Sequence, residues 1–391
     1  MTAPGTLAAK RVKSTRPYWL PLALFCLGHF FVDLYSGALG VMQPVLLDRF
    51  RLSYMEAGLL AGVLVFSSSV MQPVYGYLSD RLHSRLFTVL GPAMAGIFIS
   101  TLGWAPGYGG LLAMVCLGGA GIASFHPQAA ANAVANIRKN RGRAMAVFVC
   151  SGSLGLAAGP LFFSALTAGG SMARTPWGVV PGLAMTALLL ALMPPPAHGA
   201  RTARFDWTPL RAVWKPMTIL YFLVVVRSVV QVTFTQMLPL YLHTQRNYSL
   251  SAASLCLSLY LLGGAAGGMA GGALADRFGG RRVILISMIG SVPFLMLFVF
   301  GRGVLSTAGL FLGGLVLLFT IPVNVVMAQE LAPAQAGTVS ALMMGFGWGT
   351  AGLIFIPLTG WVSDVFSLQA AFAGLIAFPL IGFLLALRLP K

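Results

Sequence analysis

The chain has 391 residues, of which 58% are hydrophobic and only 8% are charged. Apolar stretches of about 20 residues, the length needed to cross the hydrocarbon core of a bilayer, recur along the whole sequence. This composition excludes the soluble classes of protein and predicts an all-α membrane protein. The formal net charge of +17 is compatible with nucleic-acid binding or with a membrane-orientation signal, and the positions of the basic residues favour the second.

Twelve spans are predicted, and most of the loops between them are short. The first span follows a basic tail, and its apolar run has no small-residue cleavage site, so we expect an uncleaved helix and not a signal peptide. The predicted spans cover residues 17–46, 55–79, 86–105, 108–134, 143–168, 176–193, 217–243, 250–275, 283–301, 304–330, 337–362 and 367–388. The loops leave no room for a soluble enzymatic domain. No nucleophile–base pair or metal-ligand spacing stands out, so we expect no enzyme, metal or cofactor.

The basic residues are distributed unequally between the two sides of the predicted membrane. Nineteen of the 25 Lys and Arg residues lie on the side of the two termini, five lie on the other side, and Arg227 lies within a span. By the positive-inside rule, both termini are expected to be cytoplasmic. We therefore interpret the charge as an orientation signal with attraction to anionic lipid, and we expect no nucleic-acid partner.

The domain organisation follows from one break in the middle of the chain. Three prolines after Met193 end the sixth span, and a polar, basic stretch follows them. We predict a cytoplasmic tail over 1–16, a six-helix bundle over 17–193, a cytoplasmic linker over 194–215 and a second six-helix bundle over 216–391. We expect the protein to be a monomer.

One short motif occurs twice, 196 residues apart, at the end of a span each time. It reads Gly76-Tyr-Leu-Ser-Asp80-Arg81-Leu-His-Ser-Arg85 in the first half and Gly272-Ala-Leu-Ala-Asp276-Arg277-Phe-Gly-Gly-Arg281 in the second. A period near half the chain length predicts two similar halves, a plan common among secondary transporters. The glycine allows close helix approach. The aspartate either forms a gating latch with arginines or with a helix amino end, or the motif is only a topological anchor.

Titratable side chains inside the spans are candidates for proton coupling, because an unpaired ion is expensive in the membrane. Asp33 lies in the middle of span one, and His29 precedes it by four residues on the same helical face. His126 stands before a proline in span four, where the helix can break and free carbonyl groups for ligands. Each of these groups either takes part in coupling or makes a structural hydrogen bond. Glu330, at the end of span ten, lies either in the cavity or at the cytoplasmic surface.

Arg227 is the only basic residue deep in span seven, and it must meet a carboxylate, carbonyl groups, water or an anionic substrate. Spans one and seven are equivalent in the two halves. We therefore expect Asp33 and Arg227 to face each other across a central cavity, either as a structural pair or as part of a substrate site. Gln231 shares the face of Arg227 one turn later. Gln236 and Gln43 are further candidates for substrate binding.

The duplicated motif resembles the loop between helices two and three of the major facilitator superfamily. Span five carries small residues at helical spacing and a proline that can kink the helix, in the pattern Gly152-x-x-Gly155-x-x-x-Gly159-Pro160. This pattern is similar to the span-five motif associated with antiporters in the superfamily. It departs from that motif after the proline, where Phe162-Phe163-Ser164 replaces the expected glycine pair.

Three further segments resemble the fosmidomycin-resistance branch of the superfamily, in a likeness that runs from about residue 17 to 388. They are Gly28-His29-Phe-Phe-Val-Asp33, Gly118-Gly-Ala-Gly-Ile-Ala-Ser-Phe125-His126-Pro127 and Gln329-Glu330-Leu-Ala-Pro333. The resemblance implies two pseudo-symmetric six-helix bundles and an inner-membrane, proton-driven exporter of a phosphonate antibiotic or a similar small compound. It gives Asp33, His126 and Glu330 candidate roles in coupling or binding.

Together these features predict a proton-coupled antiporter that exports a small anionic or amphipathic compound by alternating access. A proton on Asp33, exchanged with His29 or His126, would weaken the attraction of Asp33 to Arg227 and let the substrate compete for the arginine. Two alternatives remain open. One is a proton-coupled importer or facilitator of an anionic metabolite, and the other is a membrane sensor that does not transport.

Overall fold

The computed structural model describes residues 19–82, 84–135, 137, 140–193 and 211–389. Twelve helices follow one another over these ranges, and they confirm the predicted all-α fold. The helices are Trp19–Phe50 (α1), Tyr54–Ser79 (α2), Leu86–Ser100 (α3), Tyr108–Ala133 (α4), Arg141–Leu166 (α5), Thr175–Leu192 (α6), Trp214–Arg246 (α7), Leu250–Phe278 (α8), Gly280–Phe300 (α9), Gly303–Leu331 (α10), Ala336–Val365 (α11) and Leu368–Ala386 (α12). All except the shorter α3 are long and apolar enough to cross a membrane unaided.

Several of these helices are broken or distorted inside the predicted spans. The segments are Trp19–Ser36 and Ala38–Phe50 in α1, Tyr54–Ser69 and Gln72–Leu82 in α2, Gly303–Leu317 and Thr320–Leu331 in α10, Ala336–Ala341, the π turn Leu342–Phe346 and Gly347–Val365 in α11, and Leu368–Gly374 and Ala377–Ala386 in α12. The break in α1 falls at Gly37, where a Cβ would lie 2.5 Å from the backbone oxygen of Leu156 on α5. A close helix contact therefore accompanies this break.

The helices pack as two groups of six. In the first group α1 packs on α4 and α5, and α3 packs on α4 and α6. In the second group α9 packs on α10 and α12, α8 packs on α10, and α7 packs on α12. The groups meet through α2 with α11, α1 with α7, and α5 with α8. The predicted tail over 1–16 and residues 194–210 of the predicted linker lie outside the described residues.

The two groups are in backbone contact at the end of the molecule where α1 passes to α2 and α11 passes to α12. A Cβ at Gly40 would lie 2.6 Å from the Thr235 backbone oxygen, and one at Gly58 would lie 2.6 Å from that of Ile356. We call this the closed end. At the opposite end the segment Gln72–Leu82 of α2 packs on α4 and α3 of its own group. By contrast with the closed end, we call it the open end.

The two copies of the duplicated motif make equivalent contacts. A Cβ at Gly76 would lie 3.4 Å from Pro127 of α4, and one at Gly272 would lie 4.0 Å from Pro322 of α10. The last arginine of each copy also makes an equivalent contact. Arg85 and Arg281 each donate to backbone oxygens at the carboxyl end of the sixth helix of their own half. The halves therefore share a scaffold, as the repeat predicts.

Candidate functional site

Three titratable side chains from two helices meet inside the first half. His29 and Asp33 lie one turn apart on α1, and His126 reaches them from α4. The Asp33 Oδ2 atom lies 3.3 Å from His29 Nε2, and Asp33 Oδ1 lies 3.3 Å from His126 Nε2. We call this group the His–Asp–His cluster. The structure thus brings together three of the four residues that the sequence proposed for proton coupling.

The other nitrogen of each imidazole is held by a backbone carbonyl group. His29 Nδ1 lies 2.8 Å from the Phe148 oxygen, and His126 Nδ1 lies 2.7 Å from the Ile122 oxygen. A carbonyl oxygen only accepts hydrogen bonds, so each Nδ1 carries the hydrogen. A neutral ring then turns the lone pair of Nε2 toward the carboxylate. An Nε2 lone pair and a carboxylate oxygen repel each other. Each contact between an imidazole and Asp33 is therefore attractive only when a cation, such as a proton on Nε2, lies between the two atoms.

The cluster is compact and partly exposed. Its ligand atoms lie within 4.8 Å of one another, so it is small enough to hold a small cation. The side chain of His29 is 9% exposed, whereas those of Asp33 and His126 are each 19% exposed. The ring of Phe148 stacks on His29 with 4.3 Å between the ring centres. The Asp33 carboxylate and the His126 ring therefore keep some exposed surface, while the His29 ring is fixed against α5.

Helix α5 forms the wall of the cluster with glycine. A Cβ at Gly152 would lie 2.3 Å from His29 Nε2 and 2.6 Å from Asp33 Oδ2. At Gly155 and Gly159 the backbone of α1 approaches just as closely, 2.0 Å and 2.2 Å from such a Cβ. The small-residue pattern therefore packs α5 on α1, and its first glycine leaves the space that the two side chains occupy. The antiporter role suggested for Gly155, Gly159 and Pro160 stays a prediction.

The second half carries a buried arginine. Arg227 of α7 is 4% exposed, donates a hydrogen bond to Gln231, and lies 5.9 Å from the ring centre of Trp348 on α11. Its Nε atom and the buried hydroxyl of Tyr260 have no hydrogen-bond partner among the described residues. The expected pair of Arg227 with Asp33 is not formed, because the carboxylate faces the two imidazoles of its own half.

The other two glutamines lie apart from Arg227, near the crossing of α1 and α7. Gln43 is 1% exposed and its Nε2 donates to the Ala57 oxygen of α2 at 3.2 Å. Gln236 is 4% exposed, and its backbone oxygen would lie 3.1 Å from a Cβ at Gly40. The structure gives Gln43 a packing contact between helices. A substrate role for either glutamine stays a prediction.

Glu330 is separate from the His–Asp–His cluster. It is exposed and lines a cleft of about 650 Å³ at the open end, together with Arg281 and Arg282. Of the two positions that the sequence allowed, the structure therefore shows the surface one. Glu330 therefore makes no contact with Asp33, and the role in proton coupling predicted for Glu330 stays a prediction.

The first arginine of each copy of the duplicated motif makes a local contact. Arg81 donates to the Tyr77 hydroxyl at 3.2 Å, and the Arg277 guanidinium lies 5.2 Å from the Phe278 ring centre. Within the described ranges Asp276 has no ion pair with an arginine. The side chain of Asp80 lies outside the described part of the chain. The latch stays a prediction for the state in which the open end is closed.

Sequence reasoning missed four residues of these sites. Gly152 appeared in a helix-packing pattern, and that pattern could have pointed to its place on the α1 face of His29 and Asp33. Phe148, Tyr260 and Trp348 carry no such signal, since aromatic residues are common on every face of these spans. Their contacts depend on how the helices pack.

Comparison with known families decides the class of protein. The model of the Major Facilitator Superfamily matches residues 25–343 and again residues 220–391. The chain belongs to the major facilitator superfamily. It is therefore a multi-pass membrane transporter, and the superfamily predicted from the two motif copies is confirmed.

Two related proteins align with almost the whole sequence of this superfamily member. The fosmidomycin resistance protein of Escherichia coli (strain K12) is 26% identical over 390 residues, which cover 96% of this chain and 94% of the relative. The uncharacterized MFS-type transporter YfnC of Bacillus subtilis (strain 168) is 30% identical over 374 residues, which cover 93% and 91%. The resemblance to the fosmidomycin-resistance branch is thus confirmed at the level of sequence similarity.

Solved structures of the superfamily share the fold. A mutant of the nucleoside transporter NupG superimposes with a TM-score of 0.79 at 14% identity, covering 95% of this chain and 100% of NupG. A bacterial homologue of the human lysosomal transporter Spinster, inward-facing and unoccupied, superimposes with a TM-score of 0.78 at 14% identity, covering 95% and 97%. At such identities the likeness shows the major facilitator fold alone.

Proposed function

We propose that this transporter is a secondary active antiporter that exports a small anionic or amphipathic compound in exchange for protons. The observation that carries the proposal is the His–Asp–His cluster, in which two imidazole Nε2 atoms face one carboxylate at 3.3 Å. Similarity to the fosmidomycin resistance protein supports export of a drug or metabolite. Both termini are assigned to the cytoplasm, so that the open end faces the cytoplasm.

Proton binding changes how the first half holds together. With a proton on the cluster, the Asp33 carboxylate attracts at least one imidazolium, and α1 is held to α4. Without that proton, bare Nε2 lone pairs face the carboxylate, and the contacts that join the two helices become repulsive. The proton therefore binds different helix arrangements with different free energies. This inequality is what coupling to a change of state requires.

Arg227 is the proposed substrate contact. Among the described residues no carboxylate pairs with the buried Arg227 guanidinium, which therefore favours an anionic group nearby, because an unpaired charge is costly in the membrane interior. The Trp348 ring beside it offers a flat apolar surface for the rest of the molecule. We therefore propose the substrate site in the second half and the proton site in the first, one on each side of the moving interface.

One observation favours a second candidate, a proton-coupled importer of an anionic metabolite. Without a proton the cluster carries the negative charge of Asp33, which disfavours an anion bound at the positive Arg227. A bound proton cancels that charge, so a proton and an anion favour each other when both are bound. This charge arrangement promotes transport in the same direction. Export with antiport requires instead that proton and substrate stabilise opposite states.

The test uses the protein reconstituted in vesicles that contain a trapped pH dye. Fosmidomycin and a panel of anionic metabolites are added under an imposed proton gradient, and the proton and substrate fluxes are followed together. The antiport proposal expects proton movement opposite to substrate movement. Proton movement in the same direction would replace it with the importer. Binding without any flux would support the sensor that the sequence left open.

A further inference from the structure

At the closed end, a carboxylate of the second half caps a helix of the first. Asp364 lies next to the last residue of α11, and its two oxygens accept hydrogen bonds from the backbone amides of Tyr54 at 2.8 Å and Met55 at 2.9 Å. These amides begin α2, where backbone donors have no partner within the helix. The two bonds join residues that are more than 300 positions apart in the chain.

The cap of α2 is complete only with this carboxylate. The Ser53 hydroxyl accepts from the Glu56 amide at 3.2 Å, and the Glu56 carboxylate accepts from the Ser53 amide at 2.9 Å. This capping box leaves the first two helical amides, those of Tyr54 and Met55, to Asp364. The negative charge also lies at the positive end of the α2 dipole. Separation of the two halves here would break both bonds at once.

The cap sits on a seam of glycine contacts between α2 and α11. A Cβ at Gly360 would lie 2.2 Å from the Tyr54 backbone oxygen, and one at Gly62 would lie 2.9 Å from that of Gly352. The seam extends to the middle of the molecule, where α2 is broken after Ser69 and α11 has its π turn. Toward the closed end the two helices are therefore held backbone to backbone, with Asp364 at the outermost contact.

We propose that Asp364 is a conformational lock that biases the transporter toward the state in which this end is closed. The inference rests on the alternating access of the proposed function, and it goes beyond that function because Asp364 touches neither the His–Asp–His cluster nor Arg227. Its hydrogen bonds go to backbone amides of the other half. The lock sets the equilibrium between states and leaves the proton and substrate contacts unchanged.

The test measures the distance between the halves at the closed end. Spin labels are placed at Trp104 and Val304, which are 70% and 85% exposed and lie in different halves near this end. The four native cysteines, Cys26, Cys116, Cys150 and Cys256, are first replaced by serine. Asp364→Ala is expected to raise the ratio of long to short distances by roughly tenfold or more, because two charge-assisted hydrogen bonds are lost. Asp364→Asn, which keeps one acceptor, is expected to have a smaller effect.

Ser53→Ala is the matched control. It removes a capping oxygen from the same end of α2 without touching the second half, so the parental distances are expected. Parental distances in folded Asp364→Ala and Asp364→Asn would overturn the lock, and so would an equal shift in Ser53→Ala. The readout needs neither substrate nor a proton gradient. Absence of proton-coupled flux would therefore reject the proposed function without bearing on the lock.

Discussion

At the point where α5 crosses the His–Asp–His cluster, the chain has a glycine, and the structure leaves no room for a larger residue. A Cβ at Gly152 would meet both His29 Nε2 and Asp33 Oδ2 at distances that real side chains do not show. The neighbouring glycines of the same pattern meet backbone atoms of α1. The size of the residue at position 152 therefore affects both the packing of α5 on α1 and the geometry of the His–Asp–His cluster.

Gly152→Ala is expected to reduce proton-driven transport by about tenfold or more while the protein still folds. The added methyl group must displace the His29 ring or the Asp33 carboxylate, and such overpacking costs about 1–3 kcal/mol. The measurement is flux under an imposed pH gradient, with elution from a size-exclusion column as the check on folding. Gly142→Ala is the matched control on the same helix, because a Cβ at Gly142 meets nothing within 4 Å. Equal flux from the two variants would contradict the account.

Among the elements, the carboxyl ends of α6 and α12 are held by equivalent arginines. Arg85 donates to the Met193 oxygen, and Arg281 donates to the Leu387 oxygen at 2.8 Å and to that of Ala386 at 3.5 Å. The last carbonyl groups of a helix lack partners within the helix and carry partial negative charge. The final arginine of the duplicated motif therefore caps a helix, which explains its presence in both halves.

Arg281→Ala is expected to lower the free energy of unfolding by about 1 kcal/mol, the usual contribution of such hydrogen bonds. For a chain of this length the corresponding fall in Tm is about 1–2 °C. Thermal unfolding in detergent measures it. Arg282→Ala changes the same charge at the neighbouring, exposed position and is expected to retain the parental Tm. The cap would be refuted if both variants unfolded at the same temperature.

The helices themselves could be predicted from the sequence because each needs a continuous apolar stretch. In the structure the first helix continues to Phe50, and the twelve helices follow one another in the predicted order. The interruptions at Gly37 in α1 and at the π turn of α11 were not predicted. Gly37 is one of 47 glycines, and only the close approach of α5 distinguishes it. Such distortions depend on which helices are neighbours.

At the scale of the whole molecule, the two halves share a scaffold but carry different chemistry. Pro127 and Pro322 occupy equivalent places against the motif glycines, yet His126 precedes the first and Ile321 precedes the second. The first half has the His–Asp–His cluster, and the second half has Arg227 with Gln231. Duplication explains the fold, and divergence after duplication separates the proposed proton site from the proposed substrate site.

The sequence could predict the contacts within one helix of the site, but not those between helices. His29 and Asp33 are one helical turn apart, so their contact followed from spacing alone. His126 was singled out by its proline and by a family resemblance, but its contact with Asp33 depends on the packing of α4 against α1. The opposite expectation, a pair of Asp33 with Arg227, was wrong for this structure. Equivalent positions in two halves do not imply contact when nearer partners are available in the same half.

The central claim is that the His–Asp–His cluster binds the proton that drives transport and that the Asp33 carboxylate is essential to it, and one comparison tests it most directly. Asp33→Asn and Asp48→Asn are reconstituted in parallel, and substrate flux driven by a pH gradient is measured for the substrate found in the vesicle screen. Both residues lie on α1, and Asp48 is an exposed carboxylate outside the cluster, so the chemical change is matched. We predict that Asp33→Asn reduces the flux to that of protein-free vesicles, while Asp48→Asn retains it. Full proton-driven flux in a folded Asp33→Asn variant would contradict the account.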